Sequence, residues 1–118
     1  MRTLTKAEEE VMQVLWKQGP SFVKEILPHL PEKAAYTTIS TIVRILEEKG
    51  FVTHQSFGKA HRYEPLITKQ QYRKQRFKEF FQQYFDGSHR QLASFFAKEK
   101  ALEEDELRQF LDELQSDD

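Results

Sequence analysis

Cysteine is absent from the 118 residues. That gap removes disulfides, thiolate metal sites and cysteine nucleophiles together, and it fits a reducing compartment. Long apolar runs are missing as well: nothing approaches the roughly 18 residues of a membrane span, and the opening MRTLTKAEEE lacks the apolar segment of a signal peptide. The expectation is a cytoplasmic protein with no membrane insertion. Glycines number only four, and no glycine-rich phosphate loop exists. The histidines, His29, His54, His61 and His89, are scattered, with no i, i+4 pair suited to zinc, so each reads as a surface or turn residue. Glu8-Glu9-Glu10 is a charge run at a helix start rather than a paired acid and base. No cofactor, no metal and no enzymatic activity are expected.

What the chain does contain is charge of uneven distribution. The net charge is −1, yet residues 1–67 carry 9 basic and 8 acidic groups, residues 68–85 carry 5 and 1, and residues 86–118 carry 4 and 10. An acidic tail can mask a basic working surface, so a pI of 6.4 does not argue against a nucleic-acid partner.

The pattern along the chain is mostly helical with a small β-hairpin. Thr5 and Glu8 make a capping box for a first helix over residues 5 to 18, with Val11, Met12, Val14, Leu15 and Trp16 as its apolar face, ended by Gly19-Pro20. Ser21 is read as the cap of a short second helix through Val23, Ile26 and Leu27, which Pro28 truncates or kinks because it has no backbone N–H to donate. A third helix occupies AYTTISTIVRILEEKG, residues 35 to 50, with Gly50 as the residue past its end. FVTHQS and HRYEPL then alternate apolar and polar residues around FGKA, which predicts a hairpin turning at Gly58. Helix returns from Thr68 to about Phe85 with Thr68 and Gln71 as a second capping box, breaks at DGS, restarts at Ser88, and ends in a segment where Leu107, Phe110, Leu111 and Leu114 form one stripe. Two domains follow, residues 1–67 and 68–118.

The third helix carries the functional signal. On a wheel of about 100° per residue, Ile42, Val43 and Leu46 gather near Ile39, with Ile45 on a flank. The opposite side collects Thr37, Thr41, Arg44 and Glu48, with Thr38 and Ser40 beside them. Threonine and serine are mediocre helix formers, so their concentration there costs propensity. Short hydroxyls around one arginine suit a helix that sits deep in a major groove, donates to phosphates or bases and offers methyls to thymine. The plain alternative is that Thr37, Thr38 and Ser40 only cap an ordinary helix. Order favours the first reading: a helical pair joined by a short turn, then a hairpin bearing Lys59 and Arg62, is the winged helix-turn-helix arrangement. Between Tyr36 and Tyr63 four basic side chains face two acidic ones, with His54 and His61 as extra donors.

LTKAEEEVMQVLW, AYTTISTIVRILEEKGFVTH and GKAHRYEPLIT together resemble the penicillinase-repressor family of bacterial regulators, the BlaI/MecI type, strongly over residues 4 to about 72 and more loosely beyond. The resemblance implies a winged-helix DNA-binding domain joined to a helical dimerisation domain, acting as a homodimeric repressor on double-stranded operator DNA of dyad symmetry. It points to Tyr36–Arg44 as the reader and to FGKAHR, with Lys59, His61 and Arg62, as the wing. It also implies a membrane-anchored sensor protease system that relieves repression through cleavage at an Asn-Phe bond. Phe95 stands where that asparagine would be, followed by Phe96. A cleavable Phe95-Phe96 bond and a buried dimer contact are both open readings, and the second is preferred. Copper-responsive relatives sense metal through C-terminal cysteines, a mode the absence of cysteine excludes.

Dimerisation is expected from the aromatics alone. Tyr72, Phe77, Phe80, Phe81, Tyr84 and Phe85 fall in one helix, and with Phe95, Phe96 and Phe110 they place seven of the ten phenylalanines after residue 76. A region this small has difficulty burying such rings by itself. A self-contained three-helix core is the alternative. Arg73, Lys74, Arg76 and Lys78 between the rings read as a solvated face rather than phosphate ligands. From a different functional class, a winged helix that binds a protein partner and no DNA remains the competing interpretation.

Overall fold

The computed structural model describes residues 2–99, together with residues 106, 108, 109, 112 and 113. It divides into two compact units, Met1–Lys69 and Gln70–Asp118.

In the first unit, helix α1 (Lys6–Gln18) starts as its sequence dictates. The Glu8 backbone N–H donates to Thr5 Oγ1 at 3.2 Å, and the Thr5 N–H donates to Glu8 Oε1 at 2.8 Å, so two N–H groups that the helix leaves unpaired are satisfied reciprocally. Val11, Met12 and Leu15 are completely buried. Trp16 keeps part of its indole exposed, and its N–H reaches the Ile67 carbonyl at 2.8 Å, tying α1 to the chain beyond the hairpin.

The second helix is shorter than its sequence suggests, and Ser21 does not cap it. Ser21–Phe22 is instead a strand, β1, paired antiparallel with β3 (Ala60–Pro65) through Ser21↔Tyr63 and Phe22↔Arg62. The Ser21 hydroxyl is buried, donates to the Gly19 carbonyl at 2.8 Å and accepts from the Gln18 side chain at 2.9 Å. Helix α2 then covers only Val23–Ile26. Its box is completed from the other side, by Glu25 accepting from the Phe22 N–H at 2.9 Å. A 3-10 turn, Leu27–His29, carries Pro28 and ends the segment, as a residue without an N–H requires.

Helix α3 (Tyr36–Glu48) buries Ile39, Val43 and Leu46 and leaves Ile42 and Ile45 half-buried on its flanks. Gly50, at φ +83, turns the chain out of it. The Gly50 N–H meets the Glu47 carbonyl at 3.0 Å and the Phe51 N–H meets the Leu46 carbonyl at 2.9 Å. Those two bonds are a Schellman motif, and Phe51 and Leu46, both fully buried, supply its apolar contact. Strand β2 (Val52–Phe57) therefore begins directly after the helix and pairs with β3 in register from Val52↔Pro65 to Phe57↔Ala60. Gly58 and Lys59 alone make the turn, with positive φ at Gly58 only, the sign pattern of a type II′ hairpin. The sheet order is β1-β3-β2, so the wing has a third strand that the sequence pattern does not reveal.

A buried ion pair joins the first turn of α1 to the C-terminal end of α3. Lys49 Nζ lies 2.6 Å from Glu8 Oε1 and 3.0 Å from the Thr3 carbonyl, with the two charged side chains 14% and 6% exposed.

In the second unit, α4 (Lys69–Phe85) and α5 (His89–Glu99) are separated by Asp86 and Gly87, both at positive φ. The Ser88 hydroxyl accepts from the Gln91 N–H at 3.2 Å and so caps α5. Phe85 and Leu92 form a buried pair, with Phe77, Phe81, Ala93 and Phe96 partly buried against it. Among the expected dimer residues, Tyr72 is buried within the single chain, whereas Phe80, Tyr84 and Phe95 are exposed. Leu107, Phe110, Leu111 and Leu114 lie outside the described residues. Their described neighbours Glu106, Arg108, Gln109, Asp112 and Glu113 are helical and exposed. Among the described residues no helix is long and apolar enough to cross a membrane.

Candidate nucleic-acid interface

Three consecutive elements of the first unit bring the expected site residues together. Helix α3 is held by its apolar stripe, so its other side faces solvent: Tyr36, Thr37, Thr38, Thr41 and Arg44 are exposed and Ser40 is half-buried. Their hydroxyls are partly occupied by the helix itself. Thr41 donates to the Thr37 carbonyl at 3.1 Å, which satisfies its proton and keeps its lone pairs for accepting. Arg44 donates from Nε to the Ser40 carbonyl at 3.3 Å. That single bond anchors the root of the guanidinium and leaves its terminal amino groups for a ligand.

The wing supplies the second wall. Lys59 sits in the turn and His61 one residue into β3, both exposed. Arg62 points elsewhere than a free surface arginine would: its guanidinium donates to Gln55 at 2.8 Å and lies 4.9 Å from the centroid of the Phe57 ring. Phe22 of β1 meets that ring edge-on at 5.7 Å. Arg62 is thus half-buried and braces the hairpin as well as adding charge to it.

Between the outer side of α3 and the wing lies a groove of about 460 Å3. Tyr36, Ser40 and Arg44 line it from the helix, Lys59 and His61 from the wing, and Val23 from α2. Five of the nine expected contact residues therefore open onto one groove, while Thr37, Thr38 and Thr41 lie on the adjoining exposed side of the helix. The groove also contains residues the sequence reading valued less. Glu47 closes its inner end, and its carboxylate oxygens lie 2.8 and 2.9 Å from Nδ1 of His54. The His54 ring stacks on His61 with centroids 4.2 Å apart and planes 11° from parallel. Tyr63 is buried beneath both imidazoles. Burial pushes its phenol up, Glu47 adds in the same direction and Arg44 opposes, so it stays a neutral hydroxyl. Glu47 and His54 are seven residues apart on different elements, and no local pattern announces such a pair.

Chemically the groove is an array of hydroxyls, one guanidinium, one ammonium, two imidazoles and one carboxylate on a rigid frame. It offers donors to anionic oxygens and to base edges. No group of three or more histidines, aspartates or glutamates among the described residues is arranged to hold a metal ion.

Over 115 aligned residues the chain is 28% identical to the penicillinase repressor of Bacillus licheniformis, covering 93% of this chain and 90% of that one. It is 23% identical over 108 residues to the methicillin resistance regulatory protein MecI of Mammaliicoccus sciuri, covering 90% and 88%. The solution structure of the monomeric form of Bacillus licheniformis BlaI in complex with the blaP half-operator matches with a TM-score of 0.50 and 30% identity, over 60% of this chain and 89% of that one. The profile of the penicillinase repressor family matches residues 4–116, nearly the whole length. With helix, wing and sequence in agreement, the chain belongs to the penicillinase repressor family.

Proposed function

We propose that this protein is a sequence-specific DNA-binding transcriptional repressor that acts in the cytoplasm as a homodimer on an operator of dyad symmetry. Helix α3 enters the major groove with Thr37, Thr38, Thr41 and Arg44 toward the bases, and Tyr36, Ser40, Lys59, His61 and Arg62 hold the flanking backbone. The observation that carries this reading is the exposure of Thr37, Thr38, Thr41 and Arg44 on α3 beside a wing that turns at Lys59. The relative solved with half of the blaP operator supports it. Exposed Phe80, Tyr84 and Phe95 support pairing through the second unit, which would set two reading helices about 34 Å apart, one turn of duplex. Phe95 makes edge-on ring contacts with Phe85 and Phe96 at 5.6 and 5.4 Å. Continuity with that aromatic surface favours a dimer contact over a cleavage point for Phe95-Phe96. A sensor protease as the inducing partner rests on the family resemblance alone.

Selection of bound sequences from a random pool of duplexes tests the proposal. A palindromic consensus should emerge, and Arg44→Ala and Thr41→Ala should each weaken the selected site by about 1–3 kcal/mol while the dimer persists. A pool that yields no sequence preference at moderate salt would overturn it in favour of a protein-binding winged helix.

A further inference from the structure

Resting on that reading, we propose that the stacked imidazoles of His54 and His61, backed by the Glu47 carboxylate, form a protonatable seat for a backbone phosphate. Duplex binding then takes up a proton from solvent.

The geometry fixes which nitrogen of His54 faces the carboxylate. An ionised carboxylate can only accept, so Nδ1 of His54, at 2.8 and 2.9 Å from the two Glu47 oxygens, carries a proton, and its second proton enters or leaves at Nε2. His61 is exposed, and both of its nitrogens are open to exchange with solvent. Two imidazolium rings stacked at 4.2 Å repel each other. The remaining charges facing the pair are Arg44 and Glu47 from α3 and Lys59 from the turn; Tyr36 and Tyr63 contribute neutral phenols, Ser40 a hydroxyl, and α2 only Val23. In the free protein, then, two fixed cations face one carboxylate, and that carboxylate is already engaged by His54.

A phosphate in this groove reverses the balance. It brings a negative charge within reach of Arg44, Lys59 and His61 together, and that charge favours the protonated form of the imidazole nearest to it. The complex holds more protons than its separated parts, so affinity rises as pH falls through the range where imidazoles change charge. The step is a proton transfer alone: an N–H bond forms at an imidazole nitrogen as the buffer acid gives up its proton on association, and the reverse happens on release.

The test uses the full-length protein and the palindromic duplex recovered by selection, at fixed salt, with anisotropy measured between about pH 6 and about pH 8. An average uptake of about half a proton across that span makes binding about tenfold tighter at the acid end. Calorimetry in two buffers of different ionisation enthalpy should count the same uptake directly. His61→Gln should bind the palindrome with a flattened pH profile, and His61→Lys should hold the acid-end affinity at both ends. His29→Gln, outside the groove, should keep the wild-type slope. Circular dichroism and the unfolding midpoint check that each variant is folded. A flat profile in the wild-type protein, or a slope that survives in both His61 variants, overturns the proton seat while leaving the repressor reading intact. Failure to prefer any duplex at any pH overturns both.

Discussion

Replacing Lys49 with methionine keeps the length of the side chain and deletes its charge, at a position where the charge is hidden. Glu8 is only 4% exposed overall. Breaking a buried pair by removing one partner costs about 3–5 kcal/mol when the survivor is sealed away from water. Here the survivor keeps the Thr5 N–H at 2.8 Å and the favourable end of the α1 dipole, so the expected loss is about 2–4 kcal/mol. The first unit spans Met1–Lys69, and a unit of that size has a total stability of about 3–10 kcal/mol. The substitution therefore removes a large share of it. The dependence on pH is as informative as the size. Burial alone pushes the Glu8 carboxyl up, but the hydrogen bonds from Lys49 and Thr5 and the Lys49 charge outweigh it and hold the group below its ordinary value of 4.5. A depressed carboxyl contributes stability that is fully present above the unfolded value and is lost as pH falls through the folded one. In Lys49→Met burial dominates instead, so the penalty is greatest near neutral pH and shrinks once acid neutralises Glu8. Urea unfolding followed through Trp16, the single tryptophan, at about pH 7 and about pH 4 measures both. The double variant Glu8→Gln, Lys49→Met should recover much of the loss at neutral pH. A penalty under about 0.5 kcal/mol, the level of an exposed pair, would refute the argument, as would an equal penalty at both pH values.

Gly50→Ala meets no atom within 4 Å but forces a side chain onto φ +83, so it should cost about 1–2 kcal/mol from backbone strain alone, read from the same Trp16 transition. Lys59→Ala should weaken binding to all duplexes alike and lower the slope of log affinity against log salt by about 1, without changing the preferred sequence. Tyr84→Asp combined with Phe80→Asp should shift sedimentation toward monomer with helical content retained, because both rings are exposed. Phe85→Ala, which empties the buried pair with Leu92, should instead destabilise the second unit by about 3–5 kcal/mol in thermal melts.

What could be read in advance was whatever is decided within a turn of chain. The Thr5 and Glu8 box, the stop at Gly50, the turn at Gly58 and the break before Ser88 all depend on neighbours three or four residues away, and each stands where the sequence placed it. The outward side of α3 was legible for a related reason, since helical period alone separates Thr37, Thr41 and Arg44 from Ile39, Val43 and Leu46. Strand β1 was not. Two residues carry no alternation, and Ser21 looks like a helix cap until Tyr63, more than forty positions away, claims its backbone. The Glu47 and His54 contact was hidden in the same way: it requires both the exit angle set at Gly50 and the pleat of β2. Among the aromatics, composition indicated excess apolar surface but could not divide it. Phe85 and Leu92 turn inward and take Phe77, Phe81 and Phe96 partly with them, which leaves a smaller uncovered area on Phe80, Tyr84 and Phe95.

Only three residues, Lys49, Gly50 and Phe51, separate the last turn of α3 from the first residue of β2. So short a splice acts as a fixed elbow between the element proposed to read bases and the element proposed to grip the backbone. Retargeting by exchange of outward side chains on the helix would leave the grip where it is. Lengthening the elbow by even one residue would rotate the hairpin away, and a designer seeking new operators should treat residues 46–52 as untouchable joinery.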